Sequence, residues 1–460
     1  MTATARPATR VTTPSAGPVA VLDADVAVIG AGPAGIAAAA RAAEAGRRVV
    51  VLDEAPNVGG QIWRHRARSA LGTDARRWLD RLARTQAHVL RGLAVIDATP
   101  AAERGGFTVV AERHRGGVEV VRARALVLAT GARERFLPFP GWTLPGVMGI
   151  GGAQALLKQG ATFRGTRVVI AGSGPLLLPV AASLSDAGAR VVLVAEQAPA
   201  DAVRDFALSL LSRPETLVQA ARYRLAFLRT PYALGTWVTE ARGSERVTSV
   251  AVSEGRTMRV VGCDVLCTGY GLVPNVELAR LLGCPVVDGA VAVNARQATA
   301  VAGVFAAGEV TGVGGVALAV VEGEIAGAAA AGIARVDASL VRRRRGLRGM
   351  ADRLARAFAV RPEIAALARD DTIICRCEDV RRGAIASLGD TRQAKLYTRA
   401  GMGACQGRVC GPALEALFGW PAGTVRVPLE LARLSTLSVA AAASGGAVPS
   451  SGTMKSSSGA

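Results

Sequence analysis

Residues Asp23 to Glu54 read DADVAVIGAGPAGIAAAARAAEAGRRVVVLDE, and no other stretch constrains the fold so strongly. An apolar run, Val26 to Ile29, enters a turn with Gly30, Gly32 and Gly35 at G-x-G-x-x-G spacing. An Ala-rich helical segment from Ile36 to Ala45 follows, and then a second apolar run, Val49 to Leu52, ends in acid. That order predicts strand, tight turn, helix and parallel strand. Gly30 allows the turn, Gly32 admits a pyrophosphate close to the backbone, and Gly35 lets helix and strand pack closely. The helix N-terminus directs free N–H groups and a positive dipole end at that pyrophosphate, and Pro33 joins the three glycines as a candidate cofactor contact. An acid at the end of the second strand accepts hydrogen bonds from a ribose. Asp53, 23 residues after Gly30, is the favoured position and Glu54 the second. A βα turn with no ligand is the alternative.

The pattern recurs. Val168 to Glu196 reads VVIAGSGPLLLPVAASLSDAGARVVLVAE, with Gly188 lying 16 residues after Gly172 as Gly46 lies 16 after Gly30. Two nucleotide folds in one chain are therefore expected. The third glycine is here Leu177, Ala195 stands where Asp53 is expected, and Glu196 falls in register with Glu54. Gly172, Gly174 and Glu196 are the candidates for NAD(H) or another nucleotide, with a structural relic as the alternative. No arginine pair follows Glu196 to receive a 2′-phosphate, so NADH is expected over NADPH.

Three further segments return to the first fold. Gly59-Gly60-Gln61 permits close backbone contact with a cofactor, with Gln61 in reach of its ring system; an ordinary surface loop is the alternative. The strand ending in Ala129-Thr130-Gly131 is echoed by Cys267-Thr268-Gly269. The strand-to-helix turn at Gly308-Glu309 can set a carboxylate on a flavin's ribityl chain. Two Rossmann-type units with this third segment favour FAD.

Length and composition bound the remainder. A chain of 460 residues, half of them apolar and 54 of them glycine, holds two or three α/β domains. The net charge of +19 is carried almost wholly by scattered arginine, only Arg342 to Arg345 forming a block, so nucleic acid is not expected as a partner. Residues up to Pro18 lack the apolar centre of a signal peptide, and no run of eighteen apolar residues occurs, so a cytoplasmic protein without a membrane span is expected.

Near the end, ICRCEDV is followed by KLYTRAGMGACQGRVCGP. Cys375 and Cys377 are separated by one residue, Cys405 and Cys410 by four, and 27 residues lie between the pairs. Four thiolates brought together can hold a [2Fe-2S] cluster whose negative charge Arg376, Lys395, Arg399 and Arg408 would ease. Zinc and disulfides are the alternatives; zinc prefers wider spacing within each pair. Cys263, Cys267 and Cys284 lie among apolar residues and read as buried small hydrophobes.

Residues 22 to 335 resemble the two-dinucleotide-binding-domain flavoproteins, in which an FAD fold is interrupted by an NAD-type fold. That resemblance implies FAD contacts at Gly30, Gly32, Gly35, Asp53, Gly60, Thr130, Gly131, Gly308 and Glu309. The redox Cys-x-x-Cys of the family's disulfide reductases has no counterpart here, so thiol–disulfide reduction is not expected. The cysteine-rich end resembles the bacterioferritin-associated ferredoxin-like [2Fe-2S] domain. GARERFLPFPGWTLPGV, AGSGPLLL, TGYGLVPN and CRCED to CQGRVCG together are similar to the α (A) subunits of heteromeric flavin amine dehydrogenases and oxidases, such as the opine oxidases, D-hydroxyproline dehydrogenases and hydrogen cyanide synthases.

The expected architecture is α/β: a tail at 1–20, an FAD-binding part at 21–150, an NAD-type domain at 151–262, a second FAD part at 263–335, a basic helical linker at 336–370, a small mainly helical [2Fe-2S] domain at 371–435 and a disordered tail at 436–460. The resemblance implies that a partner subunit with its own flavin oxidises an amino acid, opine or other secondary amine, while this chain passes the electrons on. A small ferredoxin-like subunit is a further candidate partner. No catalytic base is assigned, because His65, His88 and His114 stand in no recognisable acid–base set. Two other readings stay open: a self-contained NADH-dependent ferredoxin-type reductase, and a non-catalytic iron-sulfur carrier or regulatory module.

Overall fold

Two sheets, each containing one of the repeated motifs, carry the architecture; the first is mixed and the second parallel. The computed structural model describes residues 21–65, 67, 71–101, 105–211, 213–421 and 423–443. The expected N-terminal tail at 1–20 lies outside them.

In the first sheet, β1 (Val21–Ile29) runs into α1 (Pro33–Glu44) and returns as β2 (Val49–Asp53), parallel to it. The helix α2 (Thr73–Ala83) leads to β3 (His88–Arg91), and β4 (Leu93–Pro100), β5 (Phe107–Arg113) and β6 (Val118–Leu128) complete the order β3-β2-β1-β6-β5-β4. The continuous apolar runs of β1 and β2 are explained by burial on both faces: Val26, Ala27, Val28 and Val51 are fully buried. At Gly35 an added Cβ would lie 1.8 Å from the Gly30 carbonyl oxygen, so only glycine lets α1 sit this close to the turn.

The chain leaves through β7 (Ala132–Glu134) and builds the second sheet from β8 (Val147–Gly149), α3 (Ile150–Lys158), β9 (Arg167–Gly172), α4 (Leu177–Asp186), β10 (Arg190–Glu196), α5 (Ala200–Ser209), α6 (Pro214–Ala226) and β11 (Tyr232–Leu234). An antiparallel ribbon of β12 (Trp237–Arg242), β13 (Ser249–Ser253) and β14 (Met258–Gly262) precedes β15 (Val265–Gly269), and the parallel order is β11-β10-β9-β15-β8. β16 (Leu272–Pro274) then pairs antiparallel with β7, so exit and return form one two-stranded crossing. The crossing lies outside the expected boundaries. β8 already belongs to the second sheet although it precedes 151, and β15 still belongs to it although it follows 262, because both pair with that sheet's strands.

Back on the first fold come α7 (Glu277–Leu281), the short hairpin β17 (Val286–Val287) and β18 (Ala290–Val291), β19 (Val304–Ala306), which pairs with β6, and α8 (Val316–Ala330). α8 lies against α1 through Gly323 and Gly327, where added Cβ atoms would come within 2.2 Å of the Ala34 and Ala38 carbonyl oxygens. Small residues four apart form a flat helix face that permits this approach.

The long basic helix α9 (Ala338–Ala357) is tied to α8 by Arg344 and Arg348, which both donate to the buried Glu322 carboxylate. After α10 (Pro362–Ala365) the cysteine-rich unit contains β20 (Ile373–Cys375), β21 (Val380–Arg381), α11 (Thr391–Thr398) and α12 (Cys410–Phe418) around a core of Ile374, Ile385, Ala394, Leu414 and Trp420. Two expectations fail beyond it. Residues 425–435 rejoin the first fold instead of the cysteine unit: Leu429 is buried in its core, the Leu429 N–H donates to the Ile96 carbonyl, and Arg433 donates to Glu112. A helix α13 (Leu434–Ala443) occupies the start of the expected disordered tail, because Ala440 and Leu437 cover Ile96, Val110 and Val120. Residues 444–460 lie outside the described chain.

Candidate functional site

The first glycine turn is shaped for a dinucleotide. Gly60 faces Gly32 so closely that a Cβ on Gly60 would stand 3.0 Å from the Gly32 Cα, leaving a cradle walled by backbone and the Pro33 ring. α1 begins at Pro33, directly after Gly32, so its first N–H groups open into that cradle. Asp53 ends β2, is 8% exposed, and accepts from the Ala31 N–H and, at 2.7 Å, from the Ala55 N–H. Burial pushes its carboxyl above the usual range, partly offset by those two donors. Glu54 is exposed, and its carbonyl receives His114 Nε2 at 2.9 Å. Of the two acids, Asp53 is therefore the one beside the turn.

Thr130 and Gly131 follow β6, next to the cradle. Thr130 Oγ1 donates to the Asn275 carbonyl at 2.7 Å and Asn275 Nδ2 returns to the Thr130 carbonyl at 2.8 Å, which locks β6 to the re-entering chain. Gly308 has φ +81, and a Cβ there would meet the Ala34 side chain at 2.7 Å, so this turn too presses on α1. Glu309 accepts from the Gly315 N–H at 2.8 Å and from the Gly314 N–H at 3.3 Å, just ahead of α8. Burial raises its pKa. Gln61 sits apart from this group: it is exposed, and its side-chain oxygen accepts from Arg64 at 2.8 Å.

Sequence reading missed Lys158. Its ammonium reaches back from the end of α3 to the Ile62 carbonyl at 2.9 Å and the Gln61 carbonyl at 3.3 Å, and burial lowers its pKa. It joins the second fold to the Gly59-Gly60 loop, a long-range contact that no local motif announces. Glu134 was also missed. It accepts from the Gly151 and Gly152 N–H groups at 2.7 and 3.1 Å and so caps α3.

In the second fold Glu196 does not stand beyond the ribose position, as its register in the sequence suggested. A register shift between Val191 and Leu193 advances the strand by one residue, so Glu196 faces Gly172 just as Asp53 follows the Ile29–Leu52 pair. Ala195 is buried in the core instead. Glu196 is fully buried and accepts from the Gly174 and Ala198 N–H groups, each at 2.8 Å. Burial pushes its pKa up to about 7. Gly172 is needed by the sheet, since a Cβ there would come within 2.1 Å of the Gly269 carbonyl oxygen. Leu177 is fully buried at the third-glycine position.

The four late cysteines converge two by two. Cys375 lies beside Cys410 and Cys377 beside Cys405, and the Gly401 N–H donates to Cys375 Sγ at 3.5 Å. The Cys410 contact chiefly pulls Cys375 down to about 5, while Cys410 is pushed up. Among the described residues no three His, Cys, Asp or Glu side chains close around one metal ion. Two pairs of sulfurs are what a binuclear cluster takes, one pair to each iron. Gly403 allows the approach, for a Cβ there would overlap the Cys377 Cβ at 2.2 Å. The remaining three cysteines are buried, and burial raises their thiol pKa values.

The cysteine unit is held on the first fold from both sides of Arg408, whose guanidinium donates to the Leu429 carbonyl at 2.6 Å and pairs with Glu430 at 2.7 Å. Arg133 on β7 donates to the Arg408 carbonyl at 3.1 Å, inside the Cys405–Cys410 loop, and also to Asn275 at 2.7 Å and Glu277 at 2.9 Å. Trp142 Nε1 donates to the Ile373 carbonyl at 2.7 Å, two residues before Cys375.

Residues 24–332 match the family described as pyridine nucleotide-disulphide oxidoreductase, and residues 373–420 match the BFD-like [2Fe-2S] binding domain. The chain belongs to the pyridine nucleotide-disulphide oxidoreductase family. Within this family it is similar to the A subunit of opine oxidase from Rhizobium meliloti (strain 1021), with 35% identity over 85% of this chain and 92% of the relative. It is also similar to the HcnB subunit of hydrogen cyanide synthase from Pseudomonas protegens, with 32% identity over 83% of this chain and 89% of the relative. L-Proline dehydrogenase from P. horikoshii shares the fold, with a TM-score of 0.65, 19% identity, and 92% of this chain and 81% of that one covered. The chain is a flavin oxidoreductase whose cofactors are FAD and a [2Fe-2S] cluster. No helix among the described residues is long and apolar enough to cross a membrane.

Proposed function

We propose that this chain is the electron-transfer subunit of a heteromeric dehydrogenase or oxidase acting on an amino acid, opine or related secondary amine. FAD supplies two-electron chemistry and the cluster one-electron chemistry. The chain's own residues hold the two groups. Gly30, Gly32, Pro33, Gly35 and Gly60 would line the pyrophosphate, Asp53 would take the ribose, Thr130, Gly131, Gly308 and Glu309 would border the remaining cofactor, and Cys375, Cys377, Cys405 and Cys410 would supply the thiolates. The observation that carries the reading is the Arg133 bridge, which fixes the Cys405–Cys410 loop directly on the crossing that follows Thr130-Gly131. Such fixed proximity suits internal transfer between two centres.

A partner chain fits this division of labour. The relatives named above are themselves named as subunits, and the histidines reached by hydrogen bonds, His65 and His114, are spent on the Trp63 and Glu54 carbonyls. The test is anaerobic reduction of the purified chain by a secondary amine or opine, with and without a co-expressed flavoprotein partner. Bleaching of flavin and cluster only with the partner supports the reading; bleaching by the amine alone would sink it. Cys405→Ser should remove the iron-sulfur absorption and leave the flavin bound.

A further inference from the structure

The second glycine turn is occupied by the chain itself. After α9 the backbone passes across Ser173-Gly174. Ser173 Oγ donates to the Phe358 carbonyl at 2.8 Å, and the Phe358 ring is 3.8 Å from where a Gly174 Cβ would stand. Gln197, fully buried just past the end of β10, clamps the same segment. Its Nε2 donates to the Ala359 carbonyl at 2.9 Å and to Ser173 Oγ at 2.8 Å, and its Oε1 accepts from the Arg361 N–H at 3.1 Å. Phe358 packs edge-on against Phe206 at 5.3 Å, and the Arg361 guanidinium lies 4.9 Å over the Trp237 ring. Val360 and Ile364 close the underside against Leu137, Trp237 and Tyr270.

A dinucleotide on this fold needs two places: the backbone of the glycine turn for its pyrophosphate and the end of the second strand for its ribose. Both places are filled here. Phe358 covers the turn, the Gln197 clamp crosses the strand end, and the Gly174 N–H is already taken by Glu196. Beneath the segment the Tyr270 hydroxyl is buried and has no hydrogen-bond partner among the described residues. That is a polar group suited to a guest that the closed arrangement does not admit.

The geometry points to residues Phe358–Arg361 as an internal strap that takes the place of an adenine dinucleotide on the second fold, so that NADH enters only by displacing it. The second fold thereby serves as the socket for the connection to the [2Fe-2S] unit, and displacement of the strap would release that connection. Being intramolecular, the strap competes at high effective concentration. A strap closed about 99% of the time weakens the apparent affinity of a nucleotide about a hundredfold. This inference concerns the second fold alone and does not depend on which amine a partner oxidises.

The test is calorimetric titration of the FAD- and cluster-loaded full chain with ADP-ribose, a probe that cannot reduce it, beside the Phe358→Gly/Gln197→Ala double variant. The wild type should bind weakly, and the double variant at least about tenfold more tightly. Retained flavin and cluster absorbance certifies the variant. If it loses either, Gln197→Leu, which removes only the clamp, decides by the same comparison. Hydrogen exchange at 358–361 in the wild type, read with saturating ADP-ribose, should rise as the strap is displaced. Tight binding by the wild type with unchanged exchange there would overturn the inference, and so would equal affinity in wild type and variants, including no binding by any of them.

Discussion

Glu196 holds a carboxyl in the interior with only two backbone donors to satisfy it. Its proton is retained to about pH 7 in the folded chain, whereas in the unfolded chain it leaves near the ordinary value of 4.5. Between those values the folded state binds the extra proton, so this residue's contribution is fully present below about pH 4.5 and is lost as pH rises to about 7. The loss amounts to about 3 kcal/mol at most. Glu196→Gln should flatten that decline, seen as urea midpoints at pH 5 and pH 7 that differ less than in the wild type. An unchanged difference would show that another group titrates. The same residue marks a limit of sequence reading. Its acid was visible, but the bulge that slides it one place along β10 belongs to the pairing with β9 and has no local signature.

At the scale of elements, the pairing of α1 with α8 holds the cofactor turn. α8 is apolar apart from Glu322 and Glu324, which are paired with arginines, and Leu318, Val321, Ile325 and Ala326 are buried along with its two contact glycines. A helix of that kind has to be covered on several sides. Gly327→Leu would force the helices apart at the Ala38 carbonyl and should cost about 3 kcal/mol or more. Flavin should be lost at a lower temperature than in the wild type, measured by release of flavin fluorescence on heating; an equal release temperature would show that the helices can slide. Most of the first fold was legible, because β1, α1 and β2 are adjacent in sequence and each carries its own period. Asp53 stands at the end of β2, where local spacing put an acid, while α1 opens at Pro33, three residues ahead of the expected Ile36. What could not be read were partners brought from afar: Lys158 on the Gly60 loop, Glu134 on α3, Arg344 and Arg348 on Glu322, and Phe358 on Gly174. Each joins segments that meet only in the folded chain, by helix packing or by sheet pairing, and not through any local periodicity.

Across the whole molecule, arginine is the cement. Arg133, Arg344, Arg348, Arg361, Arg408 and Arg433 each join units that are distant in sequence, often through carbonyls as well as carboxylates. A fork of donors suits that task better than a single ammonium, which gives a structural use for a composition so poor in lysine. Trp142→Phe deletes the donor to the Ile373 carbonyl at the seam of the cysteine unit and should weaken that docking by about 1 kcal/mol. Limited proteolysis between residues 366 and 372 should quicken, with flavin absorbance unchanged; the same cleavage rate would mean that the Arg133 and Arg408 contacts hold the seam without Trp142. The cysteine unit has a further property. It leaves the flavin fold through α9 and comes back to it at Leu429, so it is a loop with both feet planted and not a pendant on a single tether. A pendant reaches its target by diffusion and can visit several. A doubly footed unit has one address, and any electron that hops between the two centres crosses a gap whose width is set once, when the chain folds, and not anew at each encounter.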